Sequence, residues 1–190
     1  MPDRIDKTLL ILGLLTYLAG QIWIVNSGSM TKDQIAIDAI HWLMFAGAAL
    51  MIPFAARMPR RGLSLLAGPL LMVGCILVIG MCMIDFVLWS FPDVDMRNAV
   101  VGELMATPPV WTPFIEWAGL TFTGALALTG LTYWRQSIVG AGLVLIGAAV
   151  ILAWGIGSNP YGYATMIVGF LVCFWSERRG EGTGGATSEA

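Results

Sequence analysis

Four side chains of this sequence could hold or move a charge in apolar surroundings: His41, Asp85, Glu116 and Asp38, with Gln21 as a neutral hydrogen-bonding companion. His41 is the only histidine in the chain. It lies in IAIDAIHWLMFAG, three residues after Asp38, a spacing that places both on one face of a helix. Imidazole changes charge between about pH 5 and 8. A histidine beside carboxylates therefore suits proton transfer, cation binding or the orientation of a small ligand. Asp85 lies in MCMIDFVLWSF, near the end of an apolar run, where the C-terminus of a helix disfavours an anion. An aspartate there costs about 3 kcal/mol unless it is paired, protonated or hydrated, and His41 is its natural partner. Asp38 and Glu116 fall in the first turns of their helices, where the dipole favours a carboxylate. Capping or snorkelling accounts for Asp38 as readily as chemistry does.

The same inventory excludes much. One histidine cannot build a three-histidine zinc hydrolase centre. Bis-histidine haem ligation would need a second protomer, although histidine–methionine ligation stays open with eleven methionines. Di-iron bundles need two Glu-x-x-His motifs, and there are none. Neither a G-x-S-x-G elbow nor a phosphate-binding G-x-x-x-x-G-K-[ST] loop occurs. A mononuclear site from His41, Asp85 and Glu116 has a suitable donor set, but its ligands come from three separate segments. No cofactor is specified. Cys75, Cys82 and Cys173 all sit in apolar runs without a C-x-x-C, which reads as buried structural thiols rather than a disulfide framework.

The elements that must position these groups are set by composition. The chain has 190 residues, 57% of them hydrophobic and only 12% charged, against about a quarter charged in soluble domains. Charges collect in clusters separated by apolar stretches of about twenty residues, the length a helix needs to cross a bilayer. The expectation is an all-α integral membrane protein, a bundle of six spans at about 8–26, 36–56, 64–90, 110–134, 137–156 and 161–176. These make one transmembrane domain, 1–176, followed by a disordered cytoplasmic tail, 177–190. The N-terminus resembles a signal peptide but has no A-x-A-like cleavage site, so it reads as an uncleaved first helix. Between spans 3 and 4, MRNAVVGELMA predicts a short surface helix that Pro108 and Pro109 end. No similarity between spans 1–3 and 4–6 suggests an inverted repeat, and no span contains G-x-x-x-G.

Eight of the ten basic residues fall on one side of these spans, leaving Lys32 and Arg97 on the other. Cytoplasmic loops are enriched in Lys and Arg, so both termini are expected in the cytoplasm of a cell whose plasma membrane holds the chain. At about 1.5 Å per residue, His41, Asp85, Glu116 and Gln21 then fall roughly 7–9 Å inside the outer boundary. That layer predicts a wet pocket opening outward above a dry seal. Trp23, Trp42, Trp89, Trp117 and Trp154 lie on the same side as candidate pocket walls, since aromatic side chains line small-molecule sites as well as membrane interfaces.

The segment PPVWTPFIEW is similar to the proline- and tryptophan-rich segment of the tryptophan-rich sensory, or translocator, protein family. The resemblance covers ten residues and implies a pocket for porphyrin-like or sterol-like ligands; that family has five spans. From the residues themselves three readings follow. The first is a protein that binds or transports a cation, proton or small ligand. The second is a non-catalytic subunit or assembly factor, partnered by other membrane subunits or by copies of itself. The third is a cofactor-dependent membrane enzyme or electron carrier. The bilayer is a partner in all three, and no basic stripe suggests nucleic acid.

Overall fold

A computed structural model of the chain describes residues 2–26 and 34–184, with side chains described outside 34–38 and 180–184. All regular structure among the described residues is helical. Three long helices come first: α1 (Arg4–Asn26), α2 (Gln34–Ala56) and α3 (Ser64–Trp89). A short α4 (Val94–Met105) follows where a surface helix was expected. The next long unit is broken into α5 (Pro108–Trp111), a π-helical turn (Thr112–Glu116) and α6 (Ala118–Leu131). α7 (Ile138–Trp154) and α8 (Asn159–Gly184) complete the chain, joined by the 3₁₀ turn Ile156–Ser158.

By length and composition α1, α2 from Ala39 and α3 can each cross a membrane. The bent unit Pro108–Glu116 plus Ala118–Leu131 makes a fourth candidate. α7 is apolar but shorter, at 17 residues. α8 is not among these candidates; its first turn is polar, and its second half carries Glu177, Arg178 and Arg179. It stays helical to Gly184, past the boundary expected at 176. Residues 177–179 are therefore helix rather than tail, and Glu177 is buried against Lys7 of α1, whose Nζ donates to its Oε2 at 2.8 Å. Residues 185–190 of the expected tail lie outside the described residues.

Successive long helices pack side by side, and α8 returns to close against α1. Their shared core is largely apolar and includes Leu10, Leu14, Met51, Phe54, Leu71, Phe122 and Phe170, each inaccessible. Glycines set how near the helices come. An added Cβ at Gly147 of α7 would lie 2.5 Å from the Gly162 carbonyl oxygen of α8, so only glycine permits that approach. Replacing Gly147 by Leu should force the two helices apart and cost about 1–3 kcal/mol, the usual penalty of overpacking. A melting temperature unchanged in detergent would show that α7 and α8 do not meet there.

The end opposite the expected pocket is tied by charge. Asp3 and Asp6 cap the start of α1 reciprocally: the Asp6 N–H donates to Asp3 Oδ1 at 2.8 Å and the Asp3 N–H to Asp6 Oδ2 at 3.2 Å. Arg57, beyond α2, donates from Nη1 to the buried Asp6 carboxylate at 2.6 Å. The Asp6 N–H holds the Asp3 carboxyl below its usual range, helped by the Arg57 charge. A depressed carboxyl adds stability above its unfolded pKa and loses it as pH falls through the folded one. Asp3→Ala should therefore be less stable than the parent at pH 6, with the gap closing below about pH 4, the ordinary aspartate range. Thermal melts of both proteins across that range read the difference directly.

Candidate functional site

The polar layer expected from the sequence forms around a cavity of about 390 Å³ at the end of the bundle where α1 and α3 finish and α2 and α6 begin. Gln21, His41, Asp85 and Glu116 all line it, one from each of four helical units. His41 Nε2 and Asp85 Oδ2 are 2.9 Å apart, an α2–α3 ion pair when the imidazole is protonated. Both side chains are largely buried, so little water competes for this bond. Phe86, the residue after Asp85, sets its ring edge-on to the imidazole, with centroids 6.2 Å apart.

Gln21 makes a second cross-helix link. Its Oε1 accepts from Asn159 Nδ2 at 2.8 Å, and its Nε2 lies 3.4 Å from Met44 Sδ. Asn159 is a site residue that the sequence reading passed over, because the sixth segment was started at 161. The signal was present: Asn before Pro160 is a helix-start pair. Tyr17, Thr123 and Tyr163 were also missed, as uncharged residues in the middle of apolar runs. They form the cavity floor. Thr123 Oγ1 and Tyr163 Oη are 3.3 Å apart, and the Tyr17 and Tyr163 rings meet edge to face at 5.0 Å.

Glu116 reaches the cavity because its helix is irregular. The Trp117 N–H donates to Thr112 O at 3.0 Å, a bond across five residues, and the axis bends by 46° where α6 begins. Pro108 and Pro109 open the stretch where their missing donors cost nothing, but Pro113 removes an internal amide donor, so a regular α ladder cannot form. Single π turns of this kind occur often at functional sites. Phe114 fixes the turn against α3 at Gly80, where a methyl group would overlap its ring. Glu116 is solvent-exposed and, among the described residues, no hydrogen bond or ion pair engages it.

Other expectations fare differently. The Asp38 side chain lies outside the described residues. None of the five candidate wall tryptophans lines the cavity. Trp23, Trp42, Trp117 and Trp154 are exposed on the bundle surface, and the Trp89 ring lies under the Arg97 guanidinium, 4.2 Å from its centroid. Trp42 packs on Phe86 at 4.8 Å and faces outward. The aromatic cavity wall is made by the two tyrosines instead. Among the described residues no three ligating side chains gather closely enough for a metal ion, so the three-ligand metal site is not assembled.

The chain matches no protein-family model, no curated protein and no solved structure. PPVWTPFIEW, which forms the broken stretch around Glu116, thus carries no family ligand to this cavity. The site has to be read from its own chemistry: two carboxylates, one imidazole, two amides and a tyrosine–threonine floor inside an otherwise apolar lining.

A double-mutant cycle of His41→Phe and Asp85→Asn isolates the pair. Residues in direct contact couple by about 0.5–3 kcal/mol, so thermal stability in detergent should fall less in the double mutant than the two single losses added. Strict additivity would mean that the pair does not form.

Proposed function

We propose that this chain is a six-span protein of the plasma membrane, with both termini cytoplasmic and an outward-opening pocket that binds or transports a cation, proton or small ligand. The observation that carries the reading is the cavity itself. It collects the polar residues of separate helices at one end, while the other end is closed by inaccessible apolar side chains and by the Asp6–Arg57 and Lys7–Glu177 pairs. Intramembrane ionisable groups are costly and tend to face a cavity or a partner. Here they do both. The net formal charge of the lining, two carboxylates against one imidazole, favours a cationic occupant.

Topology and pocket can be tested together. The three native cysteines are buried, and a background lacking them accepts single cysteines at positions 41, 98, 116 and 184. A membrane-impermeant maleimide added to intact cells should label positions 41, 98 and 116, and should reach 184 only after permeabilisation. Labelling of 184 but not 98 from outside would invert the protein and close the proposed route. An unreactive position 41 in correctly oriented protein would make His41 dry packing and end the pocket reading.

A further inference from the structure

Three apolar side chains line the cavity and are also open to the outside: Leu120 of α6 at 57% exposure, Leu152 of α7 at 53%, and Ile156 of the following turn at 60%. Exposed apolar residues that double as cavity lining mark a lateral mouth, beside the outward opening. This mouth lies on the flank where α6 faces α7, and it is bordered by Gly119 and Gly155, which add no side chain to narrow it. On the six-span reading that flank faces hydrocarbon rather than the aqueous phase. A mouth rimmed by leucine and isoleucine, leading to a carboxylate, is suited to neither a hydrated ion nor a wholly apolar molecule.

Inside, the acidic groups are not equivalent. Asp85 is already engaged by His41 at 2.9 Å, and the Gln21 oxygen by Asn159 at 2.8 Å. Glu116 has no such engagement among the described residues, and it stands in the same stretch of chain as Leu120, one turn away across the bend. The volume, about 390 Å³, is at the small end of ligand pockets. It accommodates a polar head and the first part of a chain, leaving the rest of that chain in the lateral opening.

We propose that the occupant is a cationic amphiphile, a protonated alkylamine with a single apolar arm, which enters from the bilayer between α6 and α7 and places its ammonium against Glu116. This assignment rests on the pocket reading above and adds to it the ligand class and the entry route. The ammonium donates to the Glu116 carboxylate, a charge-assisted bond. The arm packs on Leu120, Leu152 and Ile156, whose exposure it relieves.

Trp117 and Trp154 are next in sequence to the lining residues Glu116 and Gly155 and are both exposed, so they can report a heavy atom on the arm. The probe is 12-bromododecylamine, added to the full-length protein in phosphatidylcholine nanodiscs, with the alcohol of the same length as its neutral counterpart. The amine should quench tryptophan fluorescence saturably and bind at least about tenfold more tightly than the alcohol, the share expected of one hydrogen bond to a charged group. Glu116→Gln should remove that difference, whereas Glu103→Gln on the exposed α4 should not. Trp154→Phe should lower the quenching amplitude at unchanged affinity, and Leu152→Trp, which narrows the mouth, should slow binding. Should Glu116→Gln misfold, Glu116→Asp serves in its place, and a lowered affinity is expected. Equal binding of amine and alcohol, or indifference to both Glu116 variants, would overturn the assignment. If position 41 still reacts with the maleimide from outside, the pocket reading survives that result; if it does not, both fall.

Discussion

The seam between α1 and α8 holds this molecule closed. The two helices are the first and last of the chain, and two polar links join them, one at each end. At one end Lys7 meets Glu177 at 2.8 Å, and at the other Asn159 meets Gln21 at the same distance. Between the links Tyr17 lies edge-on to Tyr163 at 5.0 Å. Without this seam the other helices would form an open row, and the cavity would be a groove. An amide–amide bond is worth only about 1 kcal/mol net, so the seam's strength lies in its apolar contacts. The polar links fix its register, because a slip of one turn would leave four hydrogen-bonding groups unpaired in apolar surroundings.

Away from the α1–α8 closure lie the helix irregularity and the opening of the cavity. The proline-rich stretch before α6 cannot complete a regular ladder, and the π turn, with the 46° bend after it, results. A regular helix would rotate each residue by about 100° from the last. One extra residue in the turn therefore resets the face that Ile115 and Glu116 present relative to Leu120 and Thr123. The break thus turns a carboxylate toward the cavity, and on the other side of the opening α7 packs closely on α8 through glycines.

How much of this the sequence announces depends on energy. A charged or strongly polar residue in an apolar run is costly enough to be informative, and for that reason Gln21, His41, Asp85 and Glu116 were legible as one layer before any coordinates. Segment boundaries were legible to within a few residues, except at α8. There Glu177 reads as the start of a polar tail because its partner, Lys7, is 170 positions away. Tryptophan misled, since a ring suited to a pocket wall is equally suited to the interface, and exposure alone separates the two. Tyr17, Thr123 and Tyr163 gave no signal, because each is ordinary in an apolar helix until its neighbours are known. The glycine contacts carry no G-x-x-x-G signature. Gly140 and Gly147, and likewise Gly162 and Gly169, are seven apart, two turns on one helix face.

The asymmetry between the two ends bears on what the cavity can do. Below its floor the bundle is filled by Leu14, Leu10, Met51 and Phe170, all inaccessible, and the described residues offer no chain of polar side chains from Thr123 to the Asp6–Arg57 pair. Carrying a charge across such a layer is opposed by the full cost of desolvation, whereas holding one at Glu116 is not. In this conformation an apolar layer separates the cavity from the charged pairs at the other end. The bond between Lys7 and Glu177 joins α1 and α8 at that far end, beneath the apolar layer.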